Sequence, residues 1–128
     1  MKYAVPDQTS TYQVTLPDNA QMFKALGDET RVRIISLLSQ GELCVCDLME
    51  VLNLPQSTTS RHLSYLKNSS WITGTRRGKW MYYRVNPGLP EKSVFSQIIY
   101  YLATLPDLKA DHRELSGHLA RKNKQTCD

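Results

Sequence analysis

The apolar residues in the first half of the chain recur every three or four positions, which is the spacing of one face of an α-helix. This pattern predicts three short helices before residue 53. Asp18 or Asn19 can cap the first and Thr30 can cap the second, because short polar side chains accept hydrogen bonds from the first helical turn. The third helix is short and carries Leu48 and Val51.

A fourth helix is predicted from Gln56 to Asn68, with Pro55 at its first position, where the missing N–H group is not needed. On a projection at about 100° per residue, one face is apolar and the opposite face is polar and basic. The apolar face consists of Thr59, Leu63 and Leu66, and the polar face of Ser57, Thr58, Arg61 and Tyr65. Two short helices joined by a tight turn, the second with such a face, are typical of a helix-turn-helix.

After this helix the pattern changes to short runs rich in β-branched and aromatic residues. Residues 71–75 and 79–85 are predicted to be strands, and Arg77-Gly78 between them is typical of a hairpin turn. The tip of the hairpin is basic, with Arg76, Arg77 and Lys79. A basic hairpin that follows a recognition helix is expected to be a wing.

Residues 91–105 are predicted to be a strongly apolar helix with more apolar surface than one small core can cover. Part of this surface is therefore expected to be buried against a partner.

The chain of 128 residues suits one domain of mainly α structure with a β-hairpin, in the α+β class. We predict a flexible arm over 1–17, a winged helix-turn-helix domain over 18–106 and a polar C-terminal helix or tail over 107–128, ending in a frayed basic segment.

Positive charge is concentrated in the predicted recognition helix and wing. Residues 56–90 contain six lysines and arginines and no acidic residue, whereas the rest of the chain has 10 basic and 12 acidic residues. Contacts with phosphates release counterions and supply most of the sequence-independent affinity for DNA. The distribution therefore predicts a double-stranded DNA partner, because a winged helix used only for protein contacts would leave these charges without an electrostatic partner.

Several other classes of protein are disfavoured. No apolar run approaches the about 18 residues of a membrane span, and residues 1–17 do not resemble a secretory signal, so a cytoplasmic protein is expected. The sequence has no Cys-x-x-Cys pair, no Gly-x-Ser-x-Gly elbow and no phosphate-binding loop. We therefore expect that the chain is not an enzyme.

Three cysteines are present, Cys44, Cys46 and Cys127, and an odd number argues against a disulfide framework. Thiolates select thiophilic ions, and no cluster of carboxylates is expected beside them. Residues two apart in an α-helix point about 200° away from one another. If Cys44 and Cys46 lie in a helical turn, one ion can be held by both only when that turn unwinds or shifts.

Four blocks of sequence, in this order, resemble the ArsR/SmtB family of arsenical-resistance and metal-sensing repressors. They are residues 23–34, 42–48, 56–63 and 78–84, and the second contains the Cys-Val-Cys motif. The resemblance implies a homodimeric winged-helix repressor, dimerised through its N- and C-terminal helices, that leaves its operator when an effector binds. It implies no cofactor for DNA binding.

The resemblance also implies which residues touch DNA. In the recognition helix and wing these are Gln56, Ser57, Thr58, Ser60, Arg61, Tyr65, Arg76, Arg77 and Lys79. Arg61 can donate two hydrogen bonds to guanine and Gln56 can pair with adenine in the major groove, whereas the hydroxyls are expected to hold phosphates. His62 is expected to have a packing or structural hydrogen-bonding role.

The effector implied by the resemblance is arsenite, antimonite or methylarsenite, bound by Cys44 and Cys46. Arsenic-sensing members have a further cysteine three residues after this motif, where this chain has Met49. Cys127 is the candidate third ligand, and a site of only two sulfurs would suit a methylated arsenical. The family's other sensor site, on the C-terminal helix, is not matched, and a solvated face is expected for Asp107, Asp111, His112, Glu114 and His118.

In an alternative interpretation the protein has the same fold, but the signal is oxidation of Cys44 and Cys46, which then form a redox sensor. Reactive thiols need a lowered pKa, and the nearby carboxylates of Glu42 and Asp47 act in the opposite direction. This favours a metalloid over an oxidant.

Overall fold

The computed structural model describes residues 15–89 and 93–122. Within these ranges the chain forms six helices and three strands. They are α1 (Leu16–Ala25), α2 (Glu29–Leu38), β1 (Leu43–Cys44), α3 (Val45–Leu52), α4 (Gln56–Asn68), β2 (Ile72–Arg77), β3 (Trp80–Val85), α5 (Val94–Leu102) and α6 (Pro106–Lys122). Residues 1–14, most of the expected arm, and Cys127 lie outside the described residues.

Helices α3 and α4 form the predicted helix-turn-helix. The turn between them contains Asn53 in a left-handed conformation with φ of 54°, after which Pro55 leads into α4. Helix α4 has the predicted bounds, although Pro55 is its N-cap and not its first helical residue. The predicted apolar face is confirmed, since Thr59, Leu63 and Leu66 are fully buried.

Strands β2 and β3 form the predicted wing as an antiparallel hairpin. The pairing runs from Ile72 opposite Val85 to Arg77 opposite Trp80, and Gly78 in the turn has a φ of 62° that favours glycine. The short strand β1 adds to the other side of β3, so the sheet order is β1-β3-β2. The fold class predicted from the sequence, mainly helical with a winged helix-turn-helix, is confirmed.

Two of the predicted helix caps are wrong. Helix α1 is capped by Thr15, and Asp18 is the third helical residue, whose side chain accepts a hydrogen bond from the backbone N–H group of Thr15. Helix α2 is capped by Asp28 and not by Thr30, because the Asp28 carboxylate accepts the N–H group of Arg31 at 3.2 Å. Helix α1 therefore begins inside the segment expected to be a flexible arm.

The core lies between α2, α3, α4 and the base of the wing. Trp71 is fully buried at the start of the wing, and its indole N–H group donates to the carbonyl oxygen of Met22 at 2.8 Å. This bond satisfies the indole and joins α1 to the wing. The aromatic ring of Trp71 also contacts Phe95 of α5 edge to face, with ring centres 5.6 Å apart.

Helix α6 packs along α2 and α3. Leu108 and Leu115 are buried on its inner face. Between them, Asp111 accepts two hydrogen bonds of 2.8 Å from the guanidinium group of Arg33 in α2. Bidentate hydrogen bonding of this kind fixes the relative orientation of the guanidinium and carboxylate groups as well as the distance between them.

The predicted solvated face on α6 is wrong at three of its five positions. Asp111 is buried against Arg33, the Nε2 atom of His112 lies 2.7 Å from the hydroxyl of Ser36, and His118 contacts α3. Asp107 and Glu114 are exposed, as expected. The error arises because the inner face of α6 mixes leucines with polar residues that find partners on α2 and α3, so hydrophobicity alone does not reveal it.

Apolar side chains remain exposed on α1 and α5. Phe23 is 50% exposed, Val94 55%, Tyr100 75% and Tyr101 60%. Phe23 and Phe95 lie with ring centres 5.8 Å apart, so the two helices are neighbours. Over the ranges that the structure describes, no helix combines the length and the apolar character needed to cross a membrane.

Candidate metal site and nucleic-acid interface

The two neighbouring cysteines lie at the junction of β1 and α3. Cys44 has extended backbone, with φ of −85° and ψ of 162°, and is the N-cap of α3, whereas Cys46 lies in the first turn of the helix. Their Cα atoms are 5.4 Å apart and their Sγ atoms are joined as a disulfide. The Sγ atom of Cys44 also accepts the N–H group of Cys46 at 3.3 Å.

This geometry corrects the expectation that the two sulfurs face apart. That expectation treats both residues as helical, but Cys44 precedes the helix because its backbone pairs with Tyr82 of the wing. The side chains therefore converge on one side while α3 is intact. One ion can be held by both sulfurs without unwinding the first turn of α3.

Asp47 is the third functional group of this junction, and it is 2% exposed. One carboxylate oxygen accepts the N–H group of Cys44 at 2.9 Å. The other accepts hydrogen bonds from His118 and Lys122 of α6, each at 2.8 Å. Burial raises the pKa of Asp47, but the bonds from Lys122, Cys44 and His118 and the charge of Lys122 outweigh it, so the pKa is lowered and the carboxylate is ionised.

The described residues contain one group of three donors that could hold a metal ion. It consists of Cys44, Cys46 and Asp47, whose donor atoms all lie within 4.8 Å of one another. One carboxylate, that of Asp47, therefore lies beside the two sulfurs, where no cluster of carboxylates was expected. Met49, at the position of the missing third cysteine, is partly buried against the core, and Cys127 lies outside the described residues.

The junction of β1 and α3 that carries Cys44 and Cys46, here called the dithiol junction, contacts both parts of the predicted DNA-binding surface. Cys44 pairs with Tyr82 of β3, and α3 packs directly on α4. A side-chain link reinforces the first route, because Glu42, just before β1, forms an ion pair of 2.6 Å with Arg77 of the wing. A displacement of this junction would therefore reach the wing and the recognition helix.

Only some of the residues predicted to touch DNA have exposed side chains. The side chains of Gln56, Ser57 and Arg61 on α4 and of Arg76 and Lys79 on the wing are exposed. Thr58, Ser60 and Tyr65 are half-buried. Arg77 is exposed on its outer side but is paired with Glu42 and lies over the ring of Tyr82 at 4.7 Å.

Arg31 supports the recognition helix from behind, and sequence reasoning did not identify it. Its guanidinium group donates to the carbonyl oxygen of Ala25 at 2.6 Å, lies 3.3 Å from Nδ1 of His62 and stacks over the ring of Tyr65 at 4.1 Å. Burial lowers the pKa of His62, as do Arg31 and Arg61, against the opposing charge of Asp28. These contacts favour the predicted structural role for His62.

Sequence reasoning also missed the partners of Asp47. A signal was available, because His118 and Lys122 are four residues apart and lie on the same face of α6 as Leu115. The sequence carries no sign that this face meets the start of α3.

Comparisons with known proteins agree with this architecture. The family profile described as "Bacterial regulatory protein, arsR family" matches residues 28–69. The arsenic resistance transcriptional regulator ArsR2 of Pseudomonas putida is 50% identical over 78 residues, which are 60% of this chain and 65% of that protein. The arsenical resistance operon repressor of Escherichia coli is 49% identical over 71 residues, 55% of this chain and 61% of that protein.

The chain thus spans about three fifths of the length of these two relatives. Among solved structures, the homodimeric winged helix-turn-helix DNA-binding domain Mb0332 from Mycobacterium bovis superposes with a TM-score of 0.57 at 26% identity. The superposition covers 77% of this chain and 84% of that domain.

Proposed function

Because the chain belongs to the ArsR family of bacterial transcriptional regulators, we propose that it is a metalloid-responsive repressor. In this proposal a homodimer binds double-stranded operator DNA and is released when trivalent arsenic, antimony or a methylated arsenical binds Cys44 and Cys46. The observation that carries the proposal is the convergence of the two sulfurs at the β1–α3 junction, which contacts both the wing and the recognition helix.

The outer face of α4 and the tip of the wing suit a DNA duplex. Exposed Gln56 and Arg61 have the side chains that read adenine and guanine edges in the major groove. Exposed Arg76 and Lys79 can neutralise backbone phosphates beside the groove. Such binding weakens steeply as salt rises, whereas a winged helix used only for protein contacts would not show this dependence.

The dimer is proposed to form through α1 and α5. Their exposed Phe23, Val94, Tyr100 and Tyr101 form apolar surface that a partner copy would cover. The homodimeric state of the similar Mycobacterium bovis domain supports this arrangement. Two copies present two recognition helices, which a winged helix-turn-helix dimer places in successive major grooves.

The names of the Pseudomonas putida and Escherichia coli relatives support an arsenical as the effector. The chemistry of the donors is consistent with this, because paired thiolates select thiophilic ions over magnesium or calcium. Since the two sulfurs already converge, the ligand need not unwind α3. It acts instead by shifting the β1–α3 junction against β3 and α4, with a coupling free energy of about 1–3 kcal/mol.

An operator-release titration tests the proposal. A labelled duplex selected from a random library is bound by reduced protein, and fluorescence anisotropy follows its release by arsenite, methylarsenite, antimonite, zinc or cadmium. We expect release by the arsenicals from wild-type protein. The double variant Cys44→Ser, Cys46→Ser should bind the same duplex and fail to respond, and a response of this variant to arsenite would place the sensor elsewhere.

A redox sensor is the second candidate, favoured by the direct bond between the two sulfurs. The electrostatic argument against reactive thiols is weaker than the sequence indicated, because the charge of Asp47 is balanced by Lys122. Adding hydrogen peroxide as one arm of the release titration separates the candidates. Release by peroxide, reversed by a dithiol reductant and absent with arsenite, would favour the redox sensor.

A further inference from the structure

The guanidinium group of Arg77 is turned toward the body of the protein, although the sequence predicts a contact with DNA. It forms an ion pair of 2.6 Å with Glu42 and lies 4.7 Å from the centre of the Tyr82 ring. These contacts occupy the same group that would bind a phosphate or a guanine. The neighbouring Arg76 is exposed and forms no ion pair with the residues that the structure describes. Arg76 and Arg77 therefore have different surroundings, although they are adjacent in the wing.

Both partners of Arg77 adjoin the dithiol junction. Glu42 directly precedes β1, and Tyr82 is the residue of β3 that pairs with Cys44. Because the sheet order is β1-β3-β2, Arg77 lies on the strand that does not pair with β1. The backbone joins β1 to β3 through two residue pairs. The ion pair therefore adds a link that crosses the sheet from the dithiol junction to the far strand of the wing.

The ion pair between Glu42 and Arg77 is suited to positioning the wing and not to stabilising the fold. The Glu42 side chain is 27% exposed and that of Arg77 is 55% exposed, and ion pairs that are this accessible to solvent contribute little to stability. A regulatory coupling requires less, because an effector acts through the difference between two states of similar free energy. The charge of Glu42 also offsets that of Arg77, which weakens the attraction of Arg77 for a phosphate.

We propose that Arg77 is a positioning residue and not a DNA contact, and that Glu42, Arg77 and Tyr82 form a clamp that makes the wing follow the dithiol junction. The inference rests on the proposed function, in which an effector at Cys44 and Cys46 shifts this junction. With the clamp, a shift of β1 displaces both strands of the wing. Without it, only the two backbone pairs between β1 and β3 pass the shift to the wing.

The salt dependence of operator binding tests whether Arg77 contacts DNA. Arg76→Gln is the matched control for Arg77→Gln, because it removes the same charge from the adjacent residue. The loss of one phosphate contact lowers the slope of log K against log salt by about one, so a dimer that loses two contacts shows a change of about two. We expect this change for Arg76→Gln and an unchanged slope for Arg77→Gln. A slope lowered by about two in Arg77→Gln would overturn the inference whatever the control shows.

Hydrogen exchange of the reduced, effector-free protein tests the clamp directly. Glu42→Gln and Arg77→Gln should both exchange faster than wild type over residues 72–85, because the wing loses the same link in each variant. Arg76→Gln should exchange like wild type in this region. Unchanged exchange in Glu42→Gln would mean that the ion pair does not hold the wing.

The release of the operator by arsenite tests transmission through the clamp. The measured quantity is the ratio of the operator Kd at saturating arsenite to the Kd without it, so a change in arsenite affinity does not enter. In Glu42→Gln and in Arg77→Gln the ratio should fall about fivefold, because each dimer loses two links of the strength of an exposed ion pair. The double variant should fall by the same factor, because the two residues act as one unit. Arg76→Gln should keep the wild-type ratio within about twofold.

Failure of this inference is distinguishable from failure of the proposed function. If arsenite releases wild type and Glu42→Gln equally, or if the losses in the double variant multiply, the clamp is wrong and the arsenic response stands. If arsenite releases none of the proteins, the arsenic response is wrong. The clamp is then judged by the salt slope and by hydrogen exchange, neither of which requires an effector.

Discussion

Arg61 shows what a single side chain contributes to the proposed recognition surface. It is exposed on the face of α4 opposite the buried Leu63, while Arg31 contacts the neighbouring His62 and Tyr65 from behind. A base-reading side chain is effective when the helix that carries it is rigid, because less conformational freedom is lost on binding. Arg61 and Arg31 therefore have different tasks although both are arginines near the same surface.

We expect Arg61→Ala to weaken operator binding by about 1–3 kcal/mol and to relax the preference at one base pair, if Arg61 reads guanine. Anisotropy titrations on the selected duplex and on its single-base variants measure both effects. Arg113→Ala, exposed on α6, is the control and should leave binding unchanged. An equal loss on every duplex would instead indicate a phosphate contact.

At the scale of elements, α6 is the part of the molecule whose role the sequence least revealed. Its inner face carries two leucines and three polar residues at helical spacing: Leu108, Asp111, Leu115, His118 and Lys122. The polar members are satisfied by Arg33 and Asp47 on α2 and α3. Docking of α6 therefore combines burial of leucines with specific ion pairs, which fix its register.

Leucines one turn apart on α6 provide a test of this docking. Leu115 is 4% exposed and Leu119 is 36% exposed. Leu115→Ala should lower the free energy of unfolding by about 2 kcal/mol, at the low end for a buried leucine because the end of a helix can relax into the space. Leu119→Ala should cost less than about 1 kcal/mol. Chemical denaturation measures both, and equal costs would mean that α6 is not docked.

At the scale of the whole molecule, the candidate ion site and the exposed apolar surface are built from different elements. The candidate ion site lies where β1, α3 and α6 meet, and the exposed apolar surface belongs to α1 and α5. If that surface is the dimer interface, the ion site of each copy remains within its own chain. The dimer would then set the spacing of two recognition helices, while each junction controls its own wing and α4.

Tyr100→Glu tests this arrangement. Tyr100 is 75% exposed, so a charge there should leave the fold of one copy intact while opposing its burial in a dimer. We expect sedimentation velocity to show a shift from dimer to monomer, together with weaker operator binding. Ala110→Glu, which adds the same charge on the exposed side of α6, should remain a dimer. A dimer that persists in Tyr100→Glu would exclude this part of α5 from the interface.

Local features of the sequence were sufficient for the helix-turn-helix and the wing. Helix α4 was predicted with its observed bounds because its apolar period and the preceding Pro55 are local signals, and the wing followed from β-branched runs around Gly78. Cysteines two residues apart were also enough to propose a soft-ion site. The helix-turn-helix and the wing depend on neighbours within a few residues, so the sequence by itself determines them.

The direction of the sulfurs and the surroundings of the candidate ion site depend on contacts between distant segments. Cys44 precedes α3 because it pairs with Tyr82, and Asp47 acquires its partners from a helix 71 to 75 residues later. Pairings between distant segments of the chain have no local signature, because they depend on which surfaces meet after the core has formed. The tertiary structure therefore decided that the two thiols converge, that a carboxylate stands beside them and that α6 holds that carboxylate.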